Sequence, residues 1–189
     1  MHVKNIKYYI ACLGLCLLLA SFDTPKLKNV TLTKNISIAL PQDWVAMPDD
    51  AIATEYPTTR KPVAAYTNPN GQIDFVLTER PSMFRDSDLK MVQEFYKASI
   101  NNKYSEVKFI RNEIKKIKNQ EFVIFEFTST MRDDAKQAKQ FAPIRRYTIV
   151  QYAIANKKLL IFTFNVPFDL RAGWQETAQK IMQSIKVNS

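Results

Sequence analysis

Only two of the chain's 189 residues are cysteine, one is histidine and three are glycine, and most of these fall at its start. Cys12, Cys16, His2 and Gly14 all precede Asp23, so from there onward no cysteine or histidine remains and the only glycines are Gly71 and Gly173. Without cysteine, disulfides cannot staple that region, and burial of apolar surface must hold it together. The usual nitrogen and sulfur ligand sets for zinc, copper and haem are missing as well. So are Cys-His and Ser-His-Asp nucleophile systems. Loops that cradle phosphate need several glycines for close backbone approach, and two isolated ones supply neither a Walker nor a dinucleotide-binding signature. Carboxylates, lysines, hydroxyls and tyrosines remain, but no spacing among them marks a glycosidase or a Ser-Lys site. No catalytic residue, cofactor or metal is therefore expected.

What is present begins with a leader. Lys4 and Lys7 flank a short polar start, and an almost wholly apolar run follows from Tyr8 to Phe22. Such a run is shorter than the roughly 20 residues of a membrane-spanning helix and matches the apolar core of a secretory signal. Residues 1–22 are thus expected to be a signal peptide, cut near Ser21 or Phe22, and 23–189 one exported domain, periplasmic or secreted. The alternative is retention of the segment as a membrane anchor. Lipidation at Cys12 or Cys16 is disfavoured by Leu13-Gly14-Leu15, which puts a bulky residue where a small one belongs, and by the short apolar stretch before Cys12.

About 167 residues follow the leader, enough for one domain with a proper core. Val30–Leu32 and Ile36–Leu40 alternate as strands, and Pro41-Gln42-Asp43-Trp44 stops the second, because proline cannot donate to a ladder. Met47–Pro62, with three prolines and no sustained period, predicts a long surface loop. Val63–Thr67 and Gln72–Glu79 form a hairpin around Asn68-Pro69-Asn70-Gly71, residues that tolerate positive φ. Asp86-Ser87-Asp88 can accept the free amides of a helix start and lacks the glycine and distal glutamate of a calcium loop. In the helix from Leu89, the apolar residues Met91, Val92, Phe95, Tyr96 and Ile100 define the expected buried face.

Val107–Lys118 and Glu121–Met131 make a long hairpin. Phe122-Val123-Ile124-Phe125, apolar on both faces, predicts a strand covered on both sides. Glu126 shares a face with Phe122 and Ile124. It is either a carboxylate held in a pocket or, the preferred expectation, the solvated end of its strand. Arg132–Pro143 is a charged insertion. Ile144–Ala155 and Leu159–Val166 form the last hairpin, turning at Asn156-Lys157-Lys158. After Pro167, Leu170, Trp174, Ala178, Ile181, Met182 and Ile185 line one stripe of a closing helix, with Asp169 placed to cap it. The core is expected to contain Trp44, Phe95, Phe125, Phe162, Trp174 and Ile181.

This order predicts an α+β fold, a mainly antiparallel sheet flanked by helices. Ile36-Ser37-Ile38-Ala39-Leu40-Pro41-Gln42-Asp43-Trp44 resembles the opening strand and Pro-x-x-Trp turn of the PsbP/Mog-like superfamily, which includes DcrB-type exported bacterial proteins. Ile181-Met182-Gln183-Ser184-Ile185 resembles its closing helix, and the likeness runs from Val30 to Val187. The resemblance implies an α/β/α sandwich used for binding and assembly more than for catalysis. Metal roles attributed to photosystem members use histidine together with carboxylates and, with no histidine after the leader, are not carried over. The Ran-binding role of the Mog branch is not carried over either, because an exported chain would not meet a nuclear GTPase.

Two functions follow: a non-catalytic binding or accessory protein of the cell envelope, assisting a protein complex or binding an anionic partner, or a carboxylate-dependent hydrolase of cell-wall or extracellular polymer. Charge points to the partner. The chain carries 27 lysines and arginines against 18 acids. Loss of Lys4 and Lys7 leaves 25 against 18, an excess of +7. Such an excess favours encounter with phospholipid head groups, anionic glycans or acidic protein faces. The expected anionic-partner patch is Lys115, Lys116, Lys118, Arg145, Arg146, Lys157 and Lys158. An envelope protein or anionic surface is the expected partner, nucleic acid is not, and membrane contact is expected only through an uncleaved leader or peripherally.

Overall fold

Ten strands and three α-helices form within the residues that the computed structural model describes, 25–57, 61–131 and 142–188. The leader and nearly all of the Arg132–Pro143 insertion lie outside them. In chain order the elements are β1 (Leu27–Thr33), β2 (Ile36–Pro41), β3 (Val45–Ala46), α1 (Asp49–Glu55), β4 (Ala64–Thr67), β5 (Asp74–Pro81) and α2 (Leu89–Lys103). Then come β6 (Glu106–Ile117), β7 (Gln120–Met131), β8 (Ile144–Ala155), β9 (Lys158–Pro167), α3 (Arg171–Gln183) and β10 (Lys186–Val187).

Seven strands pair antiparallel in the order β3-β4-β5-β9-β8-β7-β6, and β1-β2-β10 form a second, small sheet. Because side chains alternate along each strand, the large sheet has two distinct faces. One carries Phe75, Phe122, Ile124, Tyr147, Ile149, Phe162 and Phe164, covered by α3 and the small sheet through Ile36, Ile38, Leu40, Ala178, Ile181 and Met182. The other carries Phe125, Phe127, Val150, Tyr152 and Ile154 under α2, while α1 packs Ile52 on Ala65 and Val76. Each such side chain removed from water contributes about 1.5–3 kcal/mol. The expected sandwich and the doubly covered Phe122–Phe125 strand are both present.

The hairpins also form where turn chemistry places them. Gly71 has φ 65°, and the Asn68 side chain accepts the amides of Gln72 and Ile73 at 2.8 and 3.1 Å, closing the β4–β5 turn. Asn156 and Lys157 take φ 52° and 61°, the paired positive values of a tight two-residue hairpin.

Four expectations are corrected. Met47–Pro62 is not one loop: it contains α1, a seven-residue helix too short to show a period, with Asp49 and Asp50 in its favourable first turn. Phe95 is 51% exposed, because α2 buries the stripe Leu89, Val92, Gln93 and Ile100. Gln93 is drawn inward by its amide, which donates to Asn112 Oδ1 on β6 at 2.6 Å. Asp88 stands at the α2 N-cap but accepts the Arg85 amide at 3.0 Å instead of a helix amide. Likewise Asp169 makes no side-chain cap bond, because a 3₁₀ turn over Phe168–Leu170 leads directly into α3. Trp174 packs against the core as expected but remains half-buried.

Candidate functional site

Glu126 is 1% exposed, so it is not the solvated end of its strand. Two devices bury it. On β6 the pairing shifts between Phe109 and Arg111, so Ile110 is an extra residue in a bulge. Without it Ile110 would stand opposite Glu126; the bulge advances the alternation by one and turns Arg111 onto that face. Arg111 Nη2 then donates to Glu126 Oε2 at 2.6 Å. From above, α3 lowers two amides: Gln175 Nε2 reaches Oε1 at 3.1 Å, and Gln179 Nε2 reaches Oε1 at 2.9 Å and Oε2 at 3.2 Å. The Tyr147 hydroxyl completes the shell, donating to Oε1 at 2.9 Å. Burial, then the Glu126 charge, raise the Tyr147 pKa well above the ordinary phenol value, so the tyrosine stays a donor.

A second buried acid escaped the sequence reading. Asp74, 4% exposed, lies in register with Asn165 of β9, which lies in register with Thr148 of β8. The three form a polar row across the α1/α2 face. Asp74 Oδ1 accepts the Tyr56 hydroxyl at 2.5 Å and Asn165 Nδ2 at 2.9 Å, and Thr148 Oγ1 donates to Asn165 Oδ1 at 3.1 Å. Desolvation raises the Asp74 pKa above the ordinary value; the bonds from Tyr56 and Asn165 and the positive charge of Arg146 oppose it. Tyr56 is itself raised, by burial first and then by the Asp74 charge. The only local signal was an aspartate inside the otherwise apolar run Ile73–Leu77.

The seven basic residues of the expected patch do not meet. Arg145 and Arg146 open β8, whereas Lys157 and Lys158 follow its end, about 30 Å away at the strand rise per residue. Lys115, Lys116 and Lys118 belong to the lysine end, because the β6–β7 and β8–β9 turns are neighbours: Gln120 Nε2 donates to Ile154 O at 3.3 Å. The small sheet adds Lys34 and Lys186 there. A cleft of about 220 Å³ between the two sheets is lined by Lys34, Asn35, Asn156, Lys158 and Asn188, among others. Lys118 Nζ caps α3 at Ser184 O, 2.6 Å away. Partial burial and the neighbouring charge of Lys186 lower the Lys118 pKa. Lys158 is paired with Glu79, whereas Lys34, Lys115, Lys116, Lys157 and Lys186 make no ion pair with a described residue.

The arginine end is committed differently. The Arg145 guanidinium lies 3.8 Å from the Phe168 ring centroid, and Arg146 faces the buried charge of Asp74.

Among the described residues no three His, Cys, Asp or Glu side chains converge as a metal site would require, and no helix is long and apolar enough to cross a membrane.

This architecture, a long antiparallel sheet with helices on both faces and a small sheet over one of them, is the Mog1p/PsbP-like fold. It is shared with CyanoP, the cyanobacterial PsbP of Synechocystis sp. PCC 6803, at a TM-score of 0.60 and 13% identity, over 86% of this chain and 92% of that one. LpqN of Mycobacterium tuberculosis, a protein involved in cell envelope biogenesis, superposes with a TM-score of 0.53 and 11% identity, over 87% and 91% of the two chains. The Ran-binding protein Mog1p of Saccharomyces cerevisiae gives 0.52 and 13%, over 86% and 96%. No family model and no curated protein matches the chain in sequence, so these likenesses establish the fold alone.

Proposed function

We propose that the chain is an exported, non-catalytic binding or accessory protein of the cell envelope, acting on an anionic partner. The observation that carries the non-catalytic part is the placement of its two buried carboxylates. Glu126 lies on the α3 face and Asp74 on the α1/α2 face, with the sheet between them. A glycosidase-type pair needs both groups in one cleft, about 5–10 Å apart across the scissile bond. Glu126 is moreover ringed by four side chains that occupy both its oxygens. The hydrolase alternative therefore has no site among these two acids.

Export is supported by the leader-like segment Lys4–Phe22, and the envelope by the fold shared with LpqN, which is involved in envelope biogenesis. A periplasmic or secreted location follows if the leader is cut, and an anchored one if it is kept. The test is recovery of the tagged chain from its native envelope with identification of what accompanies it, beside a panel of polymer and ester substrates. Stable co-purification without turnover is the expected result. Reproducible turnover abolished by one carboxylate substitution would replace this reading with an enzyme.

A further inference from the structure

The lysine end of the sheet carries a feature that charge counting does not show. Lys118 and Lys157 occupy left-handed backbone positions, φ 56° and 61°, where glycine or asparagine would sit with less strain. Two neighbouring turns therefore hold a long cation at a position that disfavours it, and departures of this kind cluster at functional surfaces. Beside them the Ser82 amide donates to Lys157 O at 3.0 Å, which sets the next residue, Met83, at this same end with 83% of its surface exposed. The acids here are Glu79, paired with Lys158; Asp88, paired with Arg85; Glu121, in register opposite Lys116; and Asp86, exposed three residues beyond Met83.

We infer that this end docks peripherally on an anionic phospholipid bilayer, with the lysines over the head groups and Met83 entering the interface. The inference rests on the binding reading above and names its partner. Lysine presents a compact, hydrated point charge that can serve a diffuse array of phosphates without the bidentate geometry that arginine uses on carboxylate or phosphate. Of the arginines, Arg145 and Arg146 stand at the other end, whereas Arg80, beside the Pro81–Lys158 pair, and Arg85, paired with Asp88, lie near this one. The lysines come from separate turns, those of β1–β2, β6–β7 and β8–β9, together with β10, so they form a broad rim and not a pocket. An exposed apolar side chain beside such a rim is what distinguishes a lipid interface from a merely solvated cationic surface. Pro25 and Lys26 lie at the opposite end, since the Gln42 amide donates to Lys26 O at 3.0 Å and Leu27 pairs with Pro41. The chain preceding them therefore joins the domain away from the lysine rim.

The experiment is sedimentation of the exported chain with vesicles of phosphatidylcholine, with and without phosphatidylglycerol, and with native envelope fractions. Binding should require phosphatidylglycerol and weaken steeply with salt. The triple reversal Lys34→Glu, Lys157→Glu, Lys186→Glu should lower the partition coefficient about a hundredfold or more, at roughly one kcal/mol per lysine near the surface. Met83→Ser should lower it several-fold, whereas Arg145→Gln with Arg146→Gln should leave it close to wild type. Thermal melts confirm that each variant is folded. Equal loss from the arginine variant, or displacement by inorganic phosphate alone at matched ionic strength, would overturn the inference. Binding to envelope fractions but not to protein-free vesicles would overturn it in favour of an acidic protein while leaving the binding reading intact. Binding to neither would remove both.

Discussion

Glu126 and Asp74 are buried acids of the same sheet, and the chain accommodates them in different ways. Glu126 meets a guanidinium at 2.6 Å and three neutral donors. Asp74 has only neutral donors at bonding distance, a phenol and an amide, with Arg146 acting from further off. A paired charge can remain buried because its partner replaces the lost solvation, and removing that partner exposes the whole desolvation cost. An acid with neutral donors keeps part of that cost in the native state, which is why the Asp74 pKa is raised.

The largest expected effect follows at Arg111. Arg111→Ala strands the Glu126 charge and should cost about 3–5 kcal/mol, read as a fall in the urea midpoint. The lower part of that range applies, because the Arg111 side chain is 21% exposed. Adding Glu126→Leu to Arg111→Met should recover most of the loss. A single-variant cost below about 1 kcal/mol would mean that Gln175, Gln179 and Tyr147 hold the charge alone, and the contrast with Asp74 would vanish.

Tyr56→Phe should have an intermediate effect, about 1.5–3 kcal/mol at neutral pH, the range for a hydrogen bond to a charged group. The loss should shrink in acid, where Asp74 carries its own proton. A loss independent of pH would show that the ring of Tyr56 matters and its hydroxyl does not.

The smallest effect is expected at Asp74 itself, and its sign can be worked out. The folded pKa lies above the unfolded one, so the folded chain keeps a proton that the unfolded chain releases. The contribution is therefore fully present below the ordinary aspartate value of about 3.9 and declines as pH rises through the folded value. Asp74→Asn keeps an acceptor for Tyr56 and cannot ionise. Its stability, measured by denaturant titration across that window, should be flatter with pH than the wild type, within about 1 kcal/mol of it at the acid end. A wild type that instead gains stability through the same window relative to Asp74→Asn would show that Tyr56, Asn165 and Arg146 outweigh desolvation and favour the Asp74 carboxylate.

Legibility in the sequence followed the range of the forces involved. The hairpins at Asn68–Gly71 and Asn156-Lys157 were visible because turn conformation is decided within four residues. The covered strand Phe122–Phe125 was visible because an unbroken apolar run has few other places to go. Phe95 was misplaced because α2 has apolar residues around more than half its circumference, and the choice of face was settled by Gln93 reaching Asn112 on another element. Of the basic patch, Lys157 and Lys158 are neighbours in sequence and in space, but nothing local says that Lys34 and Lys186 join them or that Arg145 and Arg146 lie at the far end.

By itself the sequence determined the class of fold, the order of the eight longer strands, the turns at Asn68–Gly71 and Asn156-Lys157 and most of the core, because periodicity and turn residues act locally and burial follows them. Only the tertiary structure decided the two buried carboxylates and the two cationic ends. A single extra residue, Ile110, chooses whether arginine or isoleucine faces Glu126, and α3 supplies the glutamines from some 50 residues away. Asp74 depends on the register of three strands and on a tyrosine beyond α1. The physical reason is common to all of them: solvation and charge are properties of what is brought alongside a side chain, and antiparallel pairing brings alongside residues that the chain itself keeps far apart.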